Sequence, residues 1–189
     1  ITTSGYELRK IRHDYNDLSI GLKSLISNEK YAEIPPLLQK YDREIIGSFQ
    51  ILYNTGNDLT DAILSDKQKN ASDNIKIEFE GSLANVPADN LEICVLFNNM
   101  IDIAFENVKE FCGDGKQVVT LKAETRAGFL FCCVSFPIES EIKKAQNNVL
   151  HHNFAYKALK NLAEKNGGKI ETSLSKNRLA ITTGWTING

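Results

Sequence analysis

The sequence predicts an α+β protein built in two parts. Residues 1–56 read as an N-terminal helical hairpin that becomes a four-helix bundle on dimerisation. Residues 57–189 read as an α/β sandwich, a mixed sheet covered by helices on one face. Three observations carry this fold class. The first part spaces its apolar residues as a coiled-coil seam. The second part passes between strand-like and helix-like stretches in the order α-β-α-β-β-α-β-β. A run of turn residues, "YNTGNDL" over 53–59, separates the two.

Leu8, Ile11, Tyr15, Leu18, Leu22 and Leu25 are spaced 3, 4, 3, 4 and 3 residues apart, the rhythm of a coiled coil. Asn28-Glu29-Lys30 interrupts this seam. Pro35-Pro36 then suits the first turn of a second helix, where missing N–H groups cost little. Leu38, Tyr41, Ile45, Phe49 and Leu52 carry the second seam. One hairpin cannot bury both seams well, and pairing with a second copy solves that.

In the second part, Asn57 or Asp58 is placed to cap a helix through 59–71. Residues 75–82 alternate like a strand. Residues 87–111 form a long helix, capped near Asp89 and apolar on more than one face, which predicts burial. Strands over 117–126 and 128–137 flank Ala127-Gly128, a hairpin signal. A polar loop over 139–148 precedes a helix over about 154–165, which Gly167-Gly168 ends. Strands over 169–175 and 178–185 close the order.

The composition narrows the partners. A net charge of −2 gives no support to nucleic-acid binding, which favours a basic surface. No apolar run approaches the ~18 residues of a membrane span. The sequence opens on Ile1 without a signal-like segment, so it reads as an excised fragment, and a membrane-anchored parent is compatible with it. Cys94, Cys112, Cys132 and Cys133 lack CxxC spacing and read as reduced core residues of a cytoplasmic chain. No metal site is expected from the protein's own ligands: His151-His152 has no acidic or thiol company at ligand spacing. "GDGK" (113–116) follows a helix and precedes a strand, the reverse of a P-loop, and reads as a turn.

Three stretches carry a family resemblance: "RHDYNDL" (12–18), "LFNNMIDIAFEN" (96–107) and "HHNFAYKALKNLAEKNGGKIE" (151–171). They resemble the phosphoacceptor box, the N box and the last ATP-site segment of a sensor histidine kinase. The closest pattern is the cytoplasmic region of the quorum-sensing, peptide-sensing subfamily, with its GHKL (Bergerat-fold) ATPase domain. The resemblance implies a homodimer through the hairpin, a response regulator as partner, and ATP with Mg²⁺ as cofactor. It implies that His13 is the phosphoacceptor and that Asp14 takes its proton as the phosphoryl group arrives. On the heptad begun at Leu8, His13 occupies position f, away from the seam, where a neutral imidazole is open to attack phosphorus. Asn99 would position the attacking group or the phosphates. Asn99, Asp102, Glu106, His152, Asn153, Ala155 and Lys157 fall on the family's nucleotide-binding positions.

Several of these positions depart from the family's pattern. Ile103 stands where the family has the Asn that holds the nucleotide's Mg²⁺, and an isoleucine offers no oxygen ligand. Asn153 and Ala155 replace the two glycines that let backbone N–H groups approach the phosphates. Phe136 takes the place of a strand-terminal Asn, and no Asp-x-Gly-x-Gly adenine box is present. Asp17 replaces an Asn associated with dephosphorylation of a partner. These departures predict weakened nucleotide binding. Three functions follow as expectations: phosphoryl transfer from ATP to His13 and on to a response regulator; ATP-independent phosphotransfer between regulators; and a dimeric pseudokinase that only binds a partner.

Overall fold

The structure, a computed structural model, describes residues 17–41, 52–139, 142–151 and 153–187. The chain divides between Phe49 and Gln50 into two compact units. The division falls earlier than the turn-rich run suggests, because residues 52–55 are tied to the second unit. Leu52 N–H donates to Ser65 Oγ at 2.9 Å, and Thr55 N–H donates to Asp61 Oδ1 at 2.7 Å. Leu52, expected on the second helical seam, therefore lies outside any helix.

In the first unit, a helix covers 17–27 (α1), a 3₁₀ turn covers Tyr31–Glu33, and a second helix covers Ile34–Tyr41 (α2). Glu29 adopts the left-handed conformation at φ 56°, and Lys30 N–H donates back to Leu25 O at 2.9 Å. This is a Schellman-type stop, which uses the carbonyls that a helix end leaves unpaired. Pro35 and Pro36 sit in the first turn of α2. Gly21 packs close to Leu37, where a Cβ would come within 3.0 Å of Leu37 Cδ2. None of residues 17–38 is buried, and Ile20 is 66% exposed.

The second unit runs α3 (Asp58–Lys69), β1 (Ile75–Gly81), α4 (Asn90–Phe111), β2 (Gln117–Arg126), β3 (Phe129–Pro137), α5 (Ile142–His151), α6 (Phe154–Lys165), β4 (Lys169–Ser175) and β5 (Arg178–Thr186). The five strands form one sheet in the order β1-β2-β3-β5-β4. Only β1 and β2 are parallel, because α4 returns the chain across one face of the sheet between them. The remaining pairs are antiparallel. Alternation then sorts the side chains. Leu121, Val134 and Ile181 align in one buried row, and Ala123, Cys132 and Thr183 in the next. The opposite face carries charged residues and the stacked pair Phe129 and Phe131, with ring centroids 6.0 Å apart. Phe131 lies over Gly184, whose missing Cβ leaves room for the ring.

Asn57, not Asp58, caps α3: its Oδ1 accepts from Thr60 N–H at 2.9 Å. Asp89 caps α4 by accepting from Leu91 and Glu92 N–H. The hairpin turn at Ala127-Gly128 has both residues at positive φ, 49° and 78°, as a tight turn between twisted strands requires. The polar loop expected over 139–148 is not a loop. Helix α5 occupies Ile142–His151, and its Ala145 and Val149 are fully buried in the core. All four cysteines are free: Cys94 and Cys132 are buried, whereas Cys112 and Cys133 are half-buried. Burial pushes the Cys132 and Cys94 thiols above their ordinary range.

One sheet edge is closed by a side chain. Ile77 N–H donates to Gln68 Oε1 at 2.7 Å, and Gln68 Nε2 donates to Ile75 O at 3.0 Å. The α3 carboxamide thus stands in for a neighbouring strand along β1. The Tyr53 hydroxyl joins this cluster, donating to Ile77 O at 3.0 Å and lying 3.2 Å from Gln68 Oε1. Replacing Gln68 with Ala leaves two strand groups unpaired, and chemical denaturation should show a loss of about 1–3 kcal/mol. Burial, with Glu78 nearby, pushes the Tyr53 hydroxyl up to about 12. The raised value means the folded state holds the proton more tightly. Its contribution to stability is full below pH 10 and is lost as pH rises through 12. Stability measured against pH should fall over that interval, and Tyr53→Phe should flatten the fall.

Candidate functional site

The described positions that sequence singled out for nucleotide binding fall on α4 and at the start of α6. Along α4, residues 99, 102, 103 and 106 follow helical spacing and so lie on one flank of that helix. α6 crosses this flank antiparallel to α4. At one end, Asn153 Nδ2 donates to Glu106 Oε2 at 2.7 Å. At the other, Glu92 accepts from Lys165 Nζ at 2.6 Å and from Asn166 Nδ2 at 3.0 Å. The two anchors are about 21 Å apart along α4 and about 18 Å apart along α6, so the anchored spans of the two helices are similar. Lys165 is raised above its ordinary range by its hydrogen bond to Glu92.

Most of the candidate residues that the structure describes have a partner or a packed position. Asp102 pairs with Lys67 of α3 and accepts from Asn98 Nδ2 at 3.2 Å. Asn99 is turned onto its own helix, its Nδ2 donating to Val95 O at 2.7 Å. Asn153 is buried and is the N-cap of α6, its Oδ1 accepting from Tyr156 N–H at 3.0 Å. Ala155 is buried, while Lys157 is exposed. Ile103 and Phe136 are both at 0% exposure inside the apolar core. His13, Asp14 and His152 lie outside the described residues.

The structure adds one residue that sequence reasoning did not single out. Asn107, one turn beyond Ile103, is fully buried. Its Nδ2 donates to Ile103 O at 2.8 Å, and its Oδ1 has no partner among the described residues. Among the described residues no cluster of His, Cys, Asp and Glu could hold a metal ion. A surface cleft of about 510 Å³ lies at the N-terminal ends of α3 and α4, lined by Asn57, Asp58, Leu59, Leu83, Val86 and Asn90. None of the candidate residues lines it.

A buried crossover helix between parallel strands, three further antiparallel strands and a second helix laid along the first can be compared with solved structures. A histidine kinase from Burkholderia phymatum matches over 100% of both chains with a TM-score of 0.53 and 14% identity. The chain has the histidine kinase catalytic-domain fold. The Acinetobacter baumannii histidine kinase AdeS matches 95% of this chain and 98% of its own, at a TM-score of 0.52 and 11% identity. The catalytic domain of histidine kinase ThkA covers 71% of this chain and 93% of its own, at 0.53 and 15%. No protein-family signature and no curated protein sequence matches the chain. The shared fold therefore rests on three-dimensional similarity rather than on sequence.

Asn153 both caps α6 and anchors it to Glu106, so Asn153→Ala removes two contacts at once. The expected loss is about 1–2 kcal/mol in thermal or chemical unfolding. Asn153→Asp, which keeps the cap but not the donor to Glu106, should lose part of that.

Proposed function

We propose that this chain is a two-component signalling protein in which His13 exchanges a phosphoryl group with the aspartate of a response regulator. In this reading the Mg-ATP chemistry of the histidine kinase fold has given way to packing. The observation that carries it is Ile103. At the position where the resemblance calls for a Mg²⁺ ligand, a branched hydrocarbon is wholly enclosed by core residues. Mg²⁺ requires hard oxygen ligands in near-octahedral geometry, which neither Ile103 nor its apolar surroundings supply. Phe136 is equally enclosed at a position where the family carries an Asn. Ala155 places a buried Cβ where the backbone of a phosphate-binding turn needs free approach. The residues present do not fit a magnesium nucleotide.

The acceptor end is supported by sequence. A neutral His13 imidazole can attack the phosphorus of an aspartyl phosphate through its unprotonated nitrogen. The bond from phosphorus to the aspartyl oxygen breaks, and the regulator's aspartate leaves as a carboxylate. The proton on the other ring nitrogen passes to Asp14. A homodimer is part of the same reading, supported by the lack of any buried residue over 17–38 and by the apolar Ile20 facing solvent. The peptide-sensing subfamily and a membrane-anchored parent, with this chain as its cytoplasmic portion, also belong to it. No described helix is long and apolar enough to cross a membrane.

The deciding experiment incubates the protein separately with radiolabelled Mg-ATP and with a phosphorylated response regulator. Label is expected at His13 only from the regulator, and His13→Ala should abolish it. Label at His13 from Mg-ATP would restore the kinase reading. Absence of label from both donors, with His13→Ala leaving signalling intact, would leave a partner-binding role.

A further inference from the structure

The anchor at the C-terminal end of α6 is built on a chemically labile pair. Asn166-Gly167 is the one Asn-Gly dipeptide among the described residues. Glycine carries no side chain to shield its nitrogen, which can attack the amide of a preceding asparagine. Asparagine is accordingly among the thermolabile residues.

The fold ties down both reacting groups. Gly167, at φ 67°, and Gly168 close α6 with a Schellman motif. Gly167 N–H donates to Glu164 O at 3.1 Å, and Gly168 N–H donates to Ala163 O at 2.8 Å. The attacking nitrogen is thus the donor of a capping hydrogen bond. The Asn166 amide is held as well, its Nδ2 donating to Leu162 O at 3.1 Å and to Glu92 Oε2 at 3.0 Å. Cyclisation requires these bonds to open, so the end of α6 must first leave α4.

The product cannot restore the anchor. Gly167 N bonds to Asn166 Cγ, and the side-chain nitrogen leaves as ammonia, taking up the proton that Gly167 N gives up. Water then opens the cyclic imide at either carbonyl, which leaves aspartate or isoaspartate at position 166. The Nδ2 donor is gone, and a new carboxylate faces that of Glu92. Lys165, which donates to Glu92 Oε1 at 2.6 Å, can neutralise only one of the two. Negative charge at a helix C-terminus also opposes the helix dipole.

We propose that Asn166-Gly167 is a self-modification site whose conversion releases the C-terminal end of α6 from α4. The anchored helix protects the pair, each local opening exposes it, and conversion makes the opening permanent. The proposal rests on the contact between α4 and α6 and stands apart from the phosphotransfer reading.

Peptide mapping by mass spectrometry, on full-length chain aged at mildly alkaline pH, tests it. Conversion at Asn166 should be at least about tenfold slower in the folded protein than in the chemically denatured chain. Glu92→Ala removes an acceptor and should speed conversion of the folded protein about tenfold, whereas Glu92→Gln keeps an acceptor oxygen and should fall between. Asn166→Asp imitates the product and should speed hydrogen exchange at the amides of residues 166–168. Adding Glu92→Gln to it lets a carboxamide donate to the new carboxylate and should restore protection. Equal conversion in folded and denatured chains, conversion in neither, a rate indifferent to Glu92→Ala, or unchanged exchange in Asn166→Asp would each overturn the proposal. Because phosphotransfer does not enter these measurements, their failure leaves the proposed function standing.

Discussion

The second unit depends on how little free surface α4 retains. Ile93, Leu96, Phe97, Met100, Ile101, Ile103 and Ala104 are all completely enclosed, with the sheet on one side and α3, α5 and α6 on others. Each of these side chains except Ala104 contributes on the order of 1.5–3 kcal/mol relative to exposure, before the entropy of ordering the chain is set against it. The same helix is the crossover that makes β1 and β2 parallel. A helix enclosed over most of its circumference leaves one narrow strip for polar groups. Glu92, Asn98, Asn99, Asp102 and Glu106 occupy that strip, and neighbouring elements attach there.

That constraint explains which features could be read in advance. Long elements with a clear period were legible: 117–126 and 169–175 alternate, 154–165 repeats at helical spacing and ends at Gly167-Gly168, and Asp89 is a plain N-cap. α5 was missed because "IKKAQNN" is polar over most of its length. Among the described side chains of α5, Ala145 and Val149, four residues apart, mark the face that packs inward. The domain boundary was displaced because turn residues signal a chain reversal, not which side holds them. Hydrogen bonds from Leu52 and Thr55 to α3 decide that, and they join residues distant enough in sequence to leave no local pattern. The role of Gln68 along β1 was invisible for the same reason.

The site was legible in a different sense. Residue types at 99, 102, 103 and 106 could be placed on one flank of a helix from spacing alone. Their surroundings could not. Whether Ile103 lay beside an open pocket or inside a core depended on the packing of α5 and α6, which the sequence does not spell out. Asn107 belongs to the same category. A buried amide oxygen without a partner costs of order 1–3 kcal/mol, and its presence in the core is a feature only coordinates reveal.

The polar strip on α4 bears directly on whether the fold keeps a ligand. In a site open to nucleotide, side chains such as Asn99, Asp102 and Glu106 would wait with unused hydrogen-bonding capacity. Here Asn99 bonds Val95 O, Asp102 bonds Lys67 and Asn98, and Glu106 bonds Asn153, which is itself committed to capping α6. A ligand would have to displace these contacts one by one, and the Glu106 to Asn153 contact also holds α6 against α4. Binding would therefore act against the packing that shapes the domain. Ile103, enclosed at the position where the resemblance calls for a metal ligand, points the same way. In the proposed reading Ile103 and the paired strip hold helices together rather than a small molecule, while the proposed acceptor histidine belongs to the first unit.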